Sequence, residues 1–594
     1  MQTLNRIEIF KIFEPYIKDP QVRQYLETLD DLNLYYFATL ARQFTTNKTS
    51  TGQASTNQAA PNKKLYDGSQ KSPPENTLVP TAVAPQEWLE QLPYVTTKKL
   101  KLNEAKYTQT AKKAHLWVKK TQGGGGTSIS RKKYLSQIKN LPIEKIKLGS
   151  KGTDLFVHLP QEWGGAAITL AEIQILQSLL DLQTSHYAGI YFQDIVSAES
   201  QEAVKELWKK KSPLHSHRKY EELNQEIPHF QHHGETFQAV VPTLNEQGAL
   251  SLGRLAPGGH AFFAFEALWA ALENKIPSTT GPLVSVIGNG EDLGSSPDPA
   301  MVGWMIEEKI AVAMITTEKT EVDLKGGQIA LEKEGKLTHI CLVEQAQAKT
   351  LGQLPLFEAL GLKIKNPGQS AFFNTNVALF NYESLIPKMK KLADKLGLHQ
   401  IFNLISPTLI ENKKAQKESD GHTHSYRQLE GAMGSTLLNL DKVWRENFEE
   451  PLVHFINVER ENRSRYFSPV KTAFDFFMLF YSDRFHLDPK TLRLINRRPE
   501  NLPDVVLEDA ADPHHFTEVD QILRVFEGTK ILSLDQLNVQ GKVILKGLTL
   551  KGKIKISNRS DHEVNFADVK DKILENTSIE INKTGQVKFE KIQN

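Results

Sequence analysis

Apolar positions along this chain change their period several times, and each change marks a different kind of element. From Gln24 to Phe44, the residues Leu26, Leu29, Leu32, Leu34, Tyr35, Phe37 and Leu40 recur at near-helical spacing. Residues 1–44 therefore read as a helical N-terminal segment. Residues 45–84 lose that pattern: they are rich in Thr, Asn, Ser, Gln, Ala and Pro, with almost no large apolar side chains. Such a composition buries too little surface to offset chain entropy, so a flexible linker is expected there. From 85 to 528, short apolar runs alternate with amphipathic stretches. Leu283–Ile287, Ala311–Ile315 and Leu452–Val458 have the length of strands, whereas Ala264–Leu272 and Tyr382–Leu396 have a helical period. That alternation predicts an α/β domain around a mixed sheet. In 529–594 the runs shorten again: Leu537–Val539, Val543–Leu545, Leu548–Leu550 and Ile554–Ile556, punctuated by Gly541, Gly547 and Gly552 with lysines between them. Short strands at near-regular spacing predict the coils of a small β-helix, with a meander of hairpins as the alternative. Either is an assembly element, through which a homo-oligomer could form.

Composition narrows the class. With 594 residues the chain has room for two or three domains. A net charge of +2 gives no electrostatic case for nucleic acid or for a membrane surface. The first residues are charged too often for a signal peptide, and no apolar run approaches the ~18 residues of a membrane helix. Cys341 is the one cysteine, which excludes an intrachain disulfide framework and fits a reducing cytoplasm.

Seven segments carry candidate chemistry. Gln122 to Ser128 holds four glycines, Gly123, Gly124, Gly125 and Gly126, then Thr127. Backbone N–H groups there can approach a phosphate or base unobstructed, although a glycine linker has the same composition. It is neither a P-loop nor a dinucleotide fingerprint, because the lysine and the glycine spacing those require are missing. In Gly149–Ser150–Lys151–Gly152, a lysine between small residues can reach a phosphate chain or sit in a surface turn. Ala256 to His260 exposes Gly258 and Gly259 ahead of an apolar helix, where His260 is a cap, a packed side chain or a ligand contact. Asn289–Gly290–Glu291–Asp292–Leu293–Gly294 places carboxylates after a strand, where they can hold Mg²⁺ or form a solvated turn. Lys319 to Gly327 packs two lysines, two acids and a double glycine into nine residues; Phe372 to Asn376 brackets Thr375 with Asn374 and Asn376, amides suited to sugar hydroxyls or to turns. Arg463 to Lys471 has a basic residue at each end, and Lys471 heads the apolar run Phe474 to Tyr481, placed to meet a phosphate as a compact charge. The close histidine pairs (215/217, 232/233, 422/424 and 514/515) lack a zinc spacing and read as solvated surface.

Taken in this order, the segments resemble the UTP–glucose-1-phosphate uridylyltransferase family and its UDP-sugar pyrophosphorylase relatives. Lys319 to Gly327 matches the family's Lys-Thr-x-x-Asp-x-Lys-Gly-Gly at every fixed position, and Phe373 to Asn376 matches its Phe-Asn-Thr-Asn. Arg463 to Lys471 resembles Arg-Ser-Arg-Phe-x-Pro-Val-Lys with one inserted residue, while the first three segments match more loosely. The resemblance spans about 100–594 and implies a Rossmann-like nucleotidyltransferase domain ending in a left-handed β-helix. It implies that a hexose-1-phosphate, most simply glucose-1-phosphate, attacks the α-phosphate of UTP, giving UDP-sugar and pyrophosphate. Lys471 and Lys151 would then act on the phosphates. Gly123 to Gly126, Thr127, Gln225, Gly258 and Gly259 would hold the nucleotide. His260, Asn289, Gly327, Glu344, Asn374 and Asn376 would hold the sugar, and Glu291 would hold Mg²⁺. The chain departs from the family pattern at Glu291, where an aspartate is usual, at Ala261 and Phe262 after His260, at Ser130 in place of a glycine, and at Lys119 and Lys120 in a normally apolar strand. Alternative readings are another sugar-1-phosphate as acceptor, or a nucleotide-sugar-binding scaffold without turnover.

Overall fold

The computed structural model describes residues 6–51, 64–66, 72–80, 92–123, 129–197, 200–209, 230–237, 240–320, 323, 326–335, 337–360, 372–407, 409–417, 423–512, 514–566 and 572–592. At its centre lies a mixed sheet. Along its path the strands are Tyr94–Thr96, Val453–Val458, Val312–Thr317, Phe373–Asn381, Leu283–Asn289, His115–Thr121, Gly189–Val196 and Phe230–Phe237. Every pairing is parallel except the two made by Phe373–Asn381, which runs against both of its neighbours. Alternation along the strands sorts side chains into two cores. Leu116, Val118, Val284 and Val286 join the helices Leu170–Gln183, Pro299–Glu307 and Ala473–Phe480 on one face. Trp117, Leu283, Ile287 and Met314 join Ala261–Glu273, Tyr382–Leu396 and Met433–Phe448 on the other. Burial on both faces is why these strands read as continuous apolar runs.

The strand directions fix where a ligand can sit. The parallel strands all end at one edge of the sheet, and the reversed strand begins there. Gln122–Gly123, Glu291, Asp323 and Arg463–Lys471 follow the ends of parallel strands, and Asn374 and Asn376 open the reversed one. The crevice outside the carboxyl ends of an open α/β sheet is where such folds bind ligands.

Two expected boundaries move. The third helix, Asp31–Thr51, continues beyond residue 44, and Leu78–Pro80 is an antiparallel edge strand with Leu78 opposite Glu332 and Pro80 opposite Ala330. Leu65, Tyr66, Leu78 and Val79 are buried against the sheet. The described parts of 45–84 are therefore not a free linker, because Leu65, Tyr66, Leu78 and Val79 reach one sheet edge. The tail also begins earlier than residue 529. Asp504–Glu508 pairs in parallel with Leu534–Gln540, which pairs in parallel with Thr549–Asn558 and that with Ile573–Ile581. Parallel stacking at successive levels excludes a hairpin meander over these four strands, since hairpins are antiparallel. Val587–Lys591 closes the stack antiparallel. Leu537, Val539, Ile554 and Ile556 point inward and share a core with Phe474, Phe477 and Phe526, so the tail is packed onto the sheet domain.

Val79→Asp is expected to destabilise the fold by about 3 kcal/mol, because it buries an unpaired charge at this edge. Urea denaturation reads it; an unchanged midpoint would show that the edge strand is dispensable.

Candidate functional site

At the sheet edge, two backbone segments and the Gln122 side chain are packed so closely that only glycine fits between them. A Cβ on Gly152 would clash with Gln122 Oε1 and lie 2.6 Å from the Gly290 carbonyl, and one on Gly290 would clash with the same Gln122 oxygen. The entrance of the glycine loop, the Lys151 element and the acidic turn are thus in contact. Ser150 caps the short helix Lys151–Asp154 and donates to Gln122 Oε1 at 2.5 Å. Beyond the glycine loop, buried Arg131 donates to Asp154 at 2.8 Å and to the Gly149 carbonyl at 2.8 Å, closing the frame. Lys151 leaves this frame to donate to the Val470 carbonyl at 2.7 Å, with Glu291 at 3.8 Å.

Asp292 joins the acidic turn to the Lys471 segment. Its Oδ1 accepts from the backbone N–H groups of Gly294 at 2.8 Å and Ser468 at 2.9 Å, and Gly294 has no room for a Cβ against Phe467. Burial raises the Asp292 carboxyl above its ordinary range, opposed by those two N–H bonds. Beneath it, fully buried Lys120 donates to Ser295 Oγ at 2.7 Å, and Ser295 in turn donates to the Asp292 carbonyl at 2.7 Å. Burial lowers Lys120, and Asp292 and Asp194 act against that shift. Lys119, on the opposite face of the strand, pairs with Glu266 at 2.6 Å and lies over the Trp117 ring. Both lysines of this strand are partnered in the interior.

Lys471 is held by a carboxylate. Its Nζ lies 3.0 Å from Asp323 Oδ1, while Arg463 donates to Oδ2 at 2.6 Å and Thr320 adds N–H and O–H bonds at 2.8 and 2.7 Å. Burial alone would raise the Asp323 carboxyl; the two cations and the Thr320 bonds outweigh it and hold the group well below the usual carboxylate range. Arg465 and Tyr466 both bind Asp298, anchoring the segment to the loop after the acidic turn. A cavity of about 390 Å³ touches Asp323, Arg463 and Lys471, but Phe474, Met478, Phe485, Leu502 and Val505 form much of its remaining wall. Such a wall does not suit a triphosphate; the cations at Lys151 and Lys471 do.

The predicted sugar residues form two adjoining groups. His260 Nδ1 is hydrogen-bonded to Asn376 Nδ2. Burial lowers the His260 imidazole, and nearby Glu291 opposes the shift. Asn376 has φ +63° and lies where the register with Val312–Thr317 slips, a bulge that re-aims the amide; its N–H bonds Asn374 Oδ1 at 3.1 Å. Gly327 lies opposite Glu344, and a Cβ there would meet Glu344 Oε1 at 2.7 Å. Gly434, a residue with no role in the sequence motifs, lets Asn374 Nδ2 and Leu342 approach its backbone. Asn289 contributes a carbonyl that accepts from Gln174 at 3.1 Å.

Gly124 to Gly126, Thr127 and Gln225 lie outside the described residues, as do His215, His217 and His422. His232 stacks on Trp208 at 3.8 Å between ring centroids, which gives it a packing role. Among the described residues, no three His, Cys, Asp or Glu side chains gather as a metal cage. A lone carboxylate at Glu291 still suits Mg²⁺, which keeps several waters and takes one or two protein carboxylates with substrate phosphates. Asp323, Arg463, Gln122, Arg131 and Lys120 carry much of the geometry although the sequence assigned them no role. Asp323 and Arg463 stand at fixed positions of the lysine–aspartate and arginine–lysine motifs, so their signal was present; the roles of Gln122, Arg131 and Lys120 become visible only through contacts distant in sequence.

Burial pushes the Glu344 carboxyl up to about 7 from an ordinary 4.5. The folded chain therefore keeps this proton across a window in which the unfolded chain releases it. Stability is expected to fall by about 1–3 kcal/mol as pH rises through that window. Glu344→Gln, neutral throughout, should lose this component of the slope in urea titrations at successive pH values. An unchanged slope would remove Glu344 as its source.

The family model described as UTP–glucose-1-phosphate uridylyltransferase matches residues 200–551. The uridylyltransferase of Saccharomyces cerevisiae is 29% identical over 325 residues, 54% of this chain and 56% of that protein; a probable uridylyltransferase of Schizosaccharomyces pombe is 27% identical over 326 residues, 54% of each chain. The chain thus spans about half the length of the curated relatives it matches. Among solved structures, UDP-glucose phosphorylase from Trypanosoma brucei shares the fold at a TM-score of 0.62 and 18% identity, covering 95% of this chain and 98% of that one. UDP-glucose pyrophosphorylase from Leishmania major does so at 0.59 and 18%, covering 94% and 98%. With a family model matched over more than half its length and its motifs gathered at one sheet edge, the chain belongs to the UTP–glucose-1-phosphate uridylyltransferase family.

Proposed function

We propose that this protein transfers a uridylyl group from UTP to a hexose-1-phosphate, glucose-1-phosphate in the simplest case, releasing pyrophosphate. The observation that carries the reading is the meeting of Lys151, Glu291 and the Lys471 segment, with Lys151 Nζ 2.7 Å from the Val470 carbonyl and 3.8 Å from Glu291. A phosphate of the sugar attacks the α-phosphorus of UTP; one P–O bond forms as the bond to the β-phosphate breaks. The attacking oxygen is already anionic, so the reaction needs alignment and charge neutralisation rather than a base. Lys471 would offset charge at the α-phosphate and Lys151 would hold the leaving pyrophosphate. The glycine loop with Gln225, Gly258 and Gly259 would hold uridine. His260, Asn289, Gly327, Glu344, Asn374 and Asn376 would orient the hexose. Glu291 would hold Mg²⁺, which when bound supplies further positive charge to phosphate oxygens. The reaction would take place in the cytoplasm; no helix among the described residues is long and apolar enough to cross a membrane. The parallel-stacked tail suits a left-handed β-helix, and the N-terminal helices an extension of the catalytic domain.

The test is pyrophosphate release from UTP and a panel of sugar-1-phosphates with Mg²⁺. Glucose-1-phosphate should give turnover, and Lys471→Ala should lower kcat by about 10²–10³-fold, the cost of removing one pre-aligned charge partner of a transition state. Binding of UTP without turnover on any sugar would favour the scaffold reading. Glu291→Gln should raise the Mg²⁺ concentration needed for half-maximal rate by roughly 10–100-fold; an unchanged requirement would place the metal elsewhere.

A further inference from the structure

We propose that Tyr36, on the N-terminal helix, is a positioning residue that sets the backbone of the nucleotide-facing Gly258–Gly259 loop. The proposal rests on the reading that this loop faces uridine. Tyr36 is fully buried, and its hydroxyl donates to the Gly258 carbonyl at 2.5 Å. Its ring stands edge-on to Phe262 at 5.1–5.5 Å together with Phe265, both on the helix that follows the loop. A Cβ on Gly258 would lie 2.8 Å from the Tyr36 ring, so ring and loop backbone are in direct contact. From the other side, Gly431 N–H donates to the same Gly258 carbonyl at 3.1 Å. Gly259, at φ +86°, has no room for a side chain against the Gly431 backbone. The loop is thus clamped between a helix some 220 residues earlier in the chain and a strand end about 170 residues later.

The clamp acts on peptide orientation. Holding the Gly258 carbonyl against Tyr36 and Gly431 fixes that peptide plane, and with it the direction of the Gly259 N–H. Two residues on, His260 bonds Asn376 on the reversed strand. Among the described residues, loss of the Tyr36 hydroxyl leaves the Gly431 N–H as the remaining donor to that carbonyl, and loosens the loop without removing any group assigned to ligand contact.

Tyr35 provides an internal control. It lies on the same helix and is also buried, but its hydroxyl shares its proton between the His399 carbonyl at 2.9 Å and Asn403 Oδ1 at 3.1 Å. UTP affinity by calorimetry and steady-state kinetics should be measured for wild type, Tyr36→Phe and Tyr35→Phe, with thermal melts on each. Tyr36→Phe should weaken UTP affinity and raise its KM about fivefold, the effect of one lost hydrogen bond, with a smaller change in KM for the sugar-1-phosphate and in kcat. Tyr35→Phe should lower the melting temperature comparably and leave UTP affinity unchanged. Unchanged UTP affinity in Tyr36→Phe, or an equal loss in Tyr35→Phe, would overturn the positioning role while leaving the uridylyltransferase reading in place. A wild type that does not bind UTP would overturn that reading, and this proposal with it.

Discussion

The site depends on one buried carboxylate. Asp323 follows the end of the strand Val312–Thr317 and accepts from Arg463 and Lys471, both of which come after the neighbouring parallel strand Val453–Val458. Two cations placed together in a partly desolvated crevice repel each other, and a group withdrawn from water must recover its lost solvation from the protein. Asp323 meets both demands. It fixes where Lys471 stands, on a segment that also packs Phe467 against Phe373 and offers the Val470 carbonyl to Lys151.

Much of the architecture was legible because it is local. The runs at Leu283–Ile287 and Leu452–Val458 and the helices at Ala264–Leu272 and Tyr382–Leu396 rest on period and length, and all four appear at those positions. The motifs were legible for a different reason: backbone approach selects glycine, and charge selects lysine and carboxylate, so their residue types survive in order along the chain. What could not be read is where short exceptions go. A polar stretch with Leu65, Tyr66, Leu78 and Val79 scattered through it averages to a linker, and only the edge of Gly327–Glu334 shows that these side chains have somewhere to be buried. The start of the tail was missed similarly, because Asp504–Glu508 is half-exposed and reads as a strand only beside Leu534–Gln540.

Lys119 and Lys120 show the same limit in the site. As sequence they are an anomaly in a strand that ought to be apolar. In the fold they face opposite sides of the sheet, and each meets partners from elements far along the chain: Glu266 for one, Ser295 for the other. Buried lysines require such partners, but nothing in the sequence names them. The reversed strand is a further case. Its direction brings Asn374 and Asn376 to the ligand edge, and that direction follows from which strands it lies between.

The arrangement of charge at the edge also bears on how a phosphate can enter an ion-paired site. A ligand that draws on Lys471 competes with Asp323, and breaking a buried pair by removing one partner is costly because the other charge is left uncompensated. Here the carboxylate is not left so. Arg463 keeps one oxygen at 2.6 Å, and Thr320 supplies two more donors to that same oxygen. Lys471, the more exposed of the two cations, can turn toward a phosphate while Asp323 remains ionised and hydrogen-bonded. Arg463 is planar, buried and paired, suited to stay; Lys471 carries a compact charge on a longer flexible stem, suited to exchange partners. On the proposed reading, the division of one carboxylate between an arginine that holds it and a lysine that can leave it would let one site balance its charge in the fold and still offer a cation to a triphosphate.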